Sequence, residues 1–295
     1  MKELNISLGY DNHSQRNNEV DPQNACGPTN FIQALKYAGW EWDKSMLPQF
    51  EQDEDKLMYF TRTNKDVLDY YATRYAPMYK NWWNESHNLA KAQNKEYWQV
   101  ACPNTNPPNE VHDVMSYAVN LFVGYTAEDL SKMERRPVTR FYNEKSEFEI
   151  IWALAKGLPV VSSVDPFKNN GGHYITIVGL TAENDFELPK NYNDKANFHP
   201  EKIADYIIDN TFGKFDFVNK KYIKVSGNDE HIERKKFLYI MKHLFLVFFI
   251  AQCIWAQEPS VFDFSKSLRI DFNLLTDAQH TEVLFQQLKK EPYWG

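Results

Sequence analysis

Apolar residues recur at helical spacing directly after a Cys-Gly-Pro sequence near the start of the chain. They fall on one face of a predicted helix, followed by a glycine that can end it: Phe31, Leu35, Ala38 and Gly39. Proline fits the first turn because its fixed φ is helical and it lacks an N–H that would be unpaired there. The pattern therefore predicts a helix with Cys26 at its N-terminus.

Capping residues and apolar positions predict further helices in the first part of the chain. Asn64 and Asn109 are N-cap candidates, and Ser146 begins a Ser-x-x-Glu capping box whose helix would end at Gly157. The segment at about 78–125 is helical in pattern and dense in aromatic residues. We interpret these aromatics as the packing of an inserted subdomain. A substrate cleft or a sugar-binding surface is the alternative.

The second part of the chain has apolar, β-branched runs that are typical of buried strands. Strands are predicted at 159–164, 173–180 and 204–209, with a final pair between 214 and 224. Another short strand is predicted near 4–8. Helices that precede a group of strands indicate an α+β fold, with a helical part packed on an antiparallel sheet.

Three short sequences carry the residues that thiol catalysis needs. Cys26 would stand at a helix N-terminus, where free N–H groups and the helix dipole favour a thiolate and can receive an oxyanion. His173 follows two glycines and begins a strand, whereas Asp209 and Asn210 end one. A nucleophile, a base and an orienting residue are therefore available. Without the other two sequences, the cysteine would be interpreted as an ordinary buried residue.

These sequences and two others resemble those of papain-like cysteine peptidases of family 39, the group that includes bacteriocin-leader peptidases. The matching pieces lie between about residues 10 and 215: Ser14-Gln15-Arg16-Asn17-Asn18, Ala25-Cys26-Gly27-Pro28-Thr29, Gly157-Leu158-Pro159-Val160-Val161, Gly172-His173-Tyr174 and Ile208-Asp209-Asn210. The resemblance implies a papain-like fold, in which a helical part that carries the nucleophile packs on an antiparallel sheet. It also implies cysteine peptidase activity.

The resemblance gives roles to the residues around the nucleophile. Cys26 would attack the substrate, His173 would be the base, and Gln15 would help to form the oxyanion hole. Gln23 is nearer to the cysteine in sequence and competes with Gln15 for that role. The expected reaction is acyl transfer through a thioester, starting from a thiolate–imidazolium pair.

Two adjacent residues compete to orient the histidine. Asp209 matches the orienting acid of the family. Relatives often have Asp-Pro where this chain has Asp-Asn, so Asn210 is the alternative, as asparagine is in papain-type enzymes.

Composition and charge exclude several other functions. The 295-residue chain has a net charge of −7, which argues against general nucleic-acid binding. Its three cysteines, Cys26, Cys102 and Cys253, form neither a disulfide framework nor a zinc pattern, and nucleotide-binding and metalloprotease motifs are absent. The acidic run at 51–55 is interpreted as a solvated face rather than a calcium loop. We expect no metal, no cofactor and no nucleotide, and a peptide or protein as the substrate.

The sequence changes character from Met241 onwards. A basic start, thirteen uncharged residues at 244–256 and a small residue resemble a secretory signal peptide. Three later pieces are Phe262-Asp263-Phe264, Leu268-Arg269-Ile270-Asp271-Phe272 and Glu291-Pro292-Tyr293-Trp294-Gly295. They resemble the mature N-terminus of IgA-peptidase-like metallopeptidases of family 64, without their zinc motif. We therefore predict a peptidase domain at 1–240 and an extra segment at 241–295, which is either a joined neighbouring reading frame or a C-terminal helix with a strand pair. A membrane span needs about 20 residues, so 244–256 is expected at most to touch a membrane.

The predicted function is thiol-dependent hydrolysis of peptide or amide bonds. A thiol amidase, a murein-type hydrolase or a transglutaminase-like acyl transferase would use the same residues. A non-catalytic papain-like binding module, or a structural module of a phage or cell surface, is the alternative from another class. Residues 1–8 lack the apolar core of a signal peptide, which predicts a cytoplasmic protein, or a secreted or cell-surface one if the start is truncated.

Overall fold

The computed structural model describes residues 1–7, 14–132, 139–142, 146–168 and 172–247. In this part of the chain, helices dominate the first half and strands the second. The helices are α1 Cys26–Tyr37, α2 Asp53–Thr63, α3 Lys65–Arg74, α4 Ala76–Gln93, α5 His112–Phe122, α6 Ala127–Lys132, α7 Glu147–Ala155 and α8 Arg234–Ile240. The strands are β1 Lys2–Asn5, β2 Thr139–Tyr142, β3 Val160–Val164, β4 His173–Ala182, β5 Ile203–Asp209, β6 Lys214–Asp216, β7 Lys221–Ile223, β8 Glu230–Glu233 and β9 Met241–Val247.

The described strands form one large antiparallel sheet and one separate hairpin. The order of the large sheet is β2-β9-β3-β4-β5-β8, and β1 pairs with β4 beyond the end of β3. β4 is buried along its whole length because both of its edges are paired and both of its faces are covered. The hairpin of β6 and β7 stands apart from this sheet.

Alternating side chains of β4 sort the core onto two faces of the sheet. Tyr174 and Val178 point to the face that α1 covers. Ile175 and Ile177 point to the opposite face, where they pack with residues of α7 and α8. His173 is two and four residues from Ile175 and Ile177 on the same strand, so its side chain points to the same face as theirs, opposite α1.

A buried arginine on α2 fixes the chain that leads into α1. The side chain of Arg62 is fully buried and donates to Asp21 Oδ2 at 2.8 Å and to Asn109 Oδ1 at 3.0 Å. It also donates to the backbone carbonyls of Trp98 and Val100, at 2.8 and 3.2 Å. The arginine therefore ties three segments of the chain to one helix.

The acidic run before and within α2 is a solvated face only in part, because Glu51 is exposed whereas Glu54 and Asp55 are buried. Asp55 is 1% exposed and accepts hydrogen bonds from the backbone N–H groups of Glu19 and Val20, at 2.9 and 2.8 Å. Burial raises the pKa of Asp55, and these two N–H groups oppose the rise. The carboxylate thus accepts the hydrogen bonds of two backbone N–H groups that are not paired in a sheet.

Most aromatic residues of the segment 78–125 pack against α3 and α5. Trp82 is fully buried beside Tyr71 and Val114, and Cys102 is a free, buried cysteine in the same cluster. This burial agrees with packing rather than with a substrate cleft.

The predicted boundary after residue 240 falls directly before a strand of the large sheet. Met241 is buried, and β9 pairs with both β3 and β2. The chain therefore continues in the fold to at least Val247. Residues 248–295 lie outside the described residues, so the proposed signal-like segment and joined reading frame stay predictions. Within the described ranges, no helix is long and apolar enough to cross a membrane.

Replacing Arg62 with alanine should lower the free energy of unfolding by about 3–5 kcal/mol, because Asp21 would be left as an unpaired buried charge. Urea denaturation followed by circular dichroism measures this loss. Lys65→Ala is the control, since Lys65 and Asp69 form an exposed pair on α3. Equal effects of the two substitutions would contradict a structural role for the buried pair.

Candidate active site

Cys26 is the first residue of α1, as the sequence predicted, and its thiol lies at the start of β4. The backbone N–H of Tyr174 hydrogen-bonds to the thiol. Gly27 permits this close approach, because a Cβ there would lie 3.0 Å from the Asn109 oxygen and 3.5 Å from the Tyr174 ring. The first turn of α1 is thus pressed against the residue that follows His173.

A fully buried amide in the second turn joins α1 to two strands. Asn30 Nδ2 lies 2.8 Å from the backbone oxygens of Cys26 and Tyr174 and 3.1 Å from Thr211 Oγ1. Its Oδ1 accepts from the hydroxyl of Thr176 at 2.9 Å. Asn30 therefore fixes the nucleophile's helix against β4 and against the turn after β5.

Gln15 is buried next to the chain that enters α1. Its Nε2 donates to the backbone oxygen of Pro22 at 3.0 Å, and its Oε1 accepts from the Thr211 hydroxyl at 3.0 Å. Gln23, the competing glutamine, is exposed to solvent. Of the two candidates, the structure brings only Gln15 into the buried surroundings of the site.

His173 is hydrogen-bonded to Asn210 on its own face of the sheet. His173 Nε2 and Asn210 Oδ1 are 2.9 Å apart, and Oδ1 also accepts from the backbone N–H of Phe212 at 3.1 Å. Because a backbone N–H can only donate, the atom it meets must be the amide oxygen. His173 Nε2 must then carry a proton, so Nδ1 is the free acceptor of the neutral ring.

Asp209 faces the other way, which does not fit the expectation that it orients His173. Its carboxylate accepts from the Tyr37 hydroxyl at 2.5 Å, from Gln33 Nε2 at 3.1 Å and from the backbone N–H of Asp229 at 2.9 Å. The physical reason is the pleat, which points adjacent residues of a strand to opposite faces. Burial raises the pKa of Asp209 to about 6, and the bonds from Tyr37 and Asp229 limit the rise.

Aromatic rings enclose the imidazole of His173. Its centroid lies 5.2 Å from that of Tyr222, 6.2 Å from Phe212 and 6.4 Å from Phe215. Burial lowers the pKa of His173 to about 4, and the hydrogen bond with Asn210 opposes the shift. The hairpin of β6 and β7 thus keeps the base neutral in this conformation.

The thiol is also kept neutral, contrary to the expectation for a helix N-terminus. Burial, with a smaller contribution from the charge of Glu110, raises the pKa of Cys26 to about 12. Hydrogen bonds from the backbone of Tyr174 and Gly27 lower it but do not offset the loss of hydration. The resting site therefore holds a thiol and an imidazole rather than the expected thiolate–imidazolium pair.

Two residues near the site had no signal in the sequence. Tyr222 lies with its ring centroid 5.2 Å from that of His173, and burial, with a smaller effect of the Asp165 carboxylate, raises its pKa. Glu110 also has a pKa raised by burial, to about 7. Both come from segments that approach the site only through the tertiary fold.

The described residues contain no group of three or more histidines, cysteines or carboxylates that could hold a metal ion.

The Peptidase_C39 like family matches the chain over residues 7–212, which is more than half of its length. The chain belongs to this family. The expected α+β, papain-like fold is confirmed, and membership indicates a cysteine peptidase in general terms. The match does not reach 241–295, whose resemblances to a signal peptide and to family 64 remain unsupported. Neither a curated protein nor a solved structure matches the chain.

Replacing Tyr222 with alanine should raise the pKa of His173 from about 4 towards its ordinary value, because water would reach one side of the imidazole. Titration of the ¹³C-labelled histidine ring by NMR measures this change. Tyr222→Phe keeps the ring and should leave the pKa where it is. An unchanged pKa in Tyr222→Ala would show that the hairpin does not control the hydration of His173.

Proposed function

We propose that this protein hydrolyses peptide or amide bonds with Cys26 as the nucleophile, His173 as the general base and Asn210 as the residue that orients His173. The hydrogen bond between His173 Nε2 and Asn210 Oδ1 is the observation that carries the proposal. It leaves Nδ1 as the proton acceptor of a histidine whose chain neighbour, Tyr174, binds the thiol. The family match supports the same reaction class.

Because the resting pair is neutral, proton transfer must accompany the attack on the substrate. Nδ1 of His173 takes the thiol proton while Sγ of Cys26 bonds to the carbonyl carbon, and the π electrons move to the carbonyl oxygen. The protonated imidazole then gives its proton to the leaving nitrogen as the C–N bond breaks. The thioester is cleaved by water, whose proton passes to Nδ1 and then to the departing sulfur.

Two donors are available for the oxyanion. One is the backbone N–H of Cys26 at the start of α1, where helical N–H groups have no intrahelical partner. The other is Gln15 Nε2, which in the resting site donates to the backbone oxygen of Pro22 at 3.0 Å and, more weakly, to that of Gln23 at 3.5 Å. The weaker of these two bonds would be exchanged for the oxyanion. Such donors act on the charge that develops during the reaction, and loss of one is expected to reduce the rate by about 10²–10³.

One observation favours the second candidate, a non-catalytic binding module. Burial moves the pKa values of the thiol and the imidazole away from the ion pair, to about 12 and about 4. A module that has lost activity could keep this arrangement permanently. An enzyme would have to open the enclosure around His173 when a substrate binds.

Alkylation of Cys26 by iodoacetamide at pH 7.5 distinguishes the two candidates. In a hydrolase we expect Cys26 to react faster than the buried Cys102, and His173→Ala to slow it by about 10²-fold, the lower end of general-base effects. Mass spectrometry assigns the labelled residue. In parallel, Cys26→Ala should abolish cleavage of a quenched-fluorescence peptide library. Equal, slow labelling of both cysteines would favour the binding module.

Substitutions at the two adjacent candidates test which one orients the histidine. Asn210→Ala should slow the alkylation of Cys26 by about tenfold or more, because the imidazole loses its fixed orientation. Asp209→Asn should leave the rate nearly unchanged, since the amide oxygen can still accept from the backbone N–H of Asp229 and the amide nitrogen can donate to the oxygen of the Tyr37 hydroxyl.

Thermal unfolding of both variants checks that the fold persists. If Asp209→Asn slowed the alkylation of Cys26 more than Asn210→Ala did, the result would indicate that Asp209 orients the histidine.

A further inference from the structure

A buried carboxylate lies next to Asn210, outside the set of residues expected to act. Glu230 begins β8, where it pairs with Ile208 of β5, two residues before Asn210. It is 8% exposed, and its Oε1 accepts from the backbone N–H of Phe215 at 3.0 Å. Its second oxygen, Oε2, is buried and has no conventional hydrogen bond in the described structure.

The orientation of Asn210 turns a matching donor away from the histidine. Since Oδ1 is held by His173 and Phe212, Nδ2 lies on the other side of Cγ within the amide plane and points away from the histidine. Nδ2 is also buried, and it has no conventional partner among the described residues. Hydrogen bonding by the Asn210 side chain is one of the effects that oppose the rise in the pKa of Glu230. An unmatched donor and an unmatched acceptor therefore adjoin each other.

We propose that Glu230 is a positioning residue, which accepts a hydrogen bond from Asn210 Nδ2 and thereby holds Asn210 Oδ1 against His173 Nε2. The inference rests on the proposed function, because it assigns this relay to the same thiol-dependent site. No proton moves along the relay. Its effect is to fix the amide and to place a negative charge behind it.

The charge is useful because the site disfavours a charged histidine. When Nδ1 takes the thiol proton, an imidazolium forms on a ring that still borders Phe212 and Phe215 after substrate binding has opened the side covered by Tyr222. A carboxylate at the other end of the amide polarises Oδ1 and attracts the imidazolium, and both effects are stronger in a buried site than in water. Glu230 thus stabilises the charge that appears only during the reaction.

The ionisation of Glu230 gives the relay a signature in pH. Burial raises its pKa to about 7, while the Phe215 N–H, Lys214 on β6, Lys236 on α8 and Asn210 limit the rise. Above pH 7 the carboxylate is charged and the relay is complete. Below pH 7 it is protonated, and the wild type should lose the advantage that the charge gives.

The test compares wild type and Glu230→Gln by the alkylation rate of Cys26 at two pH values. If the charge accelerates the reaction about tenfold, the ratio of the two rates should be near 9 at pH 8 and below about 2 at pH 6, because Glu230 titrates between them. Glu233→Gln, an exposed position on the same strand, is the matched control and should give a ratio near 1 at both pH values.

A ratio that is the same at pH 6 and pH 8 would overturn the relay and indicate a merely structural glutamate. If Glu230→Gln loosens the fold, the alkylation rates of Asn210→Ala and of the double variant Asn210→Ala/Glu230→Gln are compared at the same two pH values. Because the intervening amide is absent from both proteins, the pH-dependent part of their rate ratio should disappear. Its persistence there would also overturn the relay. An unreactive wild-type Cys26 would overturn the proposed function itself, whereas a reactive one with a constant ratio overturns only the role of Glu230.

Discussion

The arrangement of the site depends on the buried amide of Asn30. This side chain bonds to the first residue of α1, to the start of β4 and to the turn that follows β5. These are the elements that present Cys26, His173 and Asn210. Removal of the amide would leave buried carbonyl and hydroxyl groups unpaired, which costs more than the net value of the bonds themselves. A residue outside the proposed catalytic set therefore fixes the relative positions of the three elements that carry that set.

Burial is the second constraint, and it acts in two directions. It keeps the thiol and the imidazole neutral, so the site is not poised as an ion pair. It also strengthens every dipole aimed at the charges that form during acyl transfer. The enclosure by Tyr222 thus excludes water from the imidazole of His173, and the amides of Gln15 and Asn210 already hold fixed positions in the resting site. Such a site is compatible with catalysis only if substrate binding opens the aromatic side.

The sequence predicted the elements of the site better than their mutual contacts. The helix at Cys26 and the strand at His173 have strong local signals, namely glycine, proline and a periodic apolar pattern. Alternation also implies that Asp209 and Asn210 face opposite sides. Which of them faces the histidine depends on the register of β4 and β5, and that register shifts at a bulge between Ile177 and Gly179. A local pattern does not contain this information.

Other features depend on contacts between distant parts of the chain. Asp55 is indistinguishable in sequence from its acidic neighbours, and its burial follows from a backbone turn 35 residues earlier. Tyr222 belongs to a short hairpin whose pattern suggests only a strand pair, and its position over His173 is set by the fold as a whole. The segment from Met241 looked foreign because of its composition, yet its first residues complete the sheet beside β3.

The Asp-Asn sequence explains how this chain differs from the family pattern it resembles. An acid that orients the histidine directly would supply both a fixed acceptor and a negative charge. Here the Asp209 carboxylate accepts hydrogen bonds from α1 and from the turn before β8, and these bonds fix the end of β5. In the arrangement that we propose, Asn210 supplies the fixed acceptor, and the charge lies one step further away on Glu230. Because the pKa of that carboxylate is near neutrality, this proposed division of roles would make the strength of the base depend on pH, whereas a direct acid of low pKa would not.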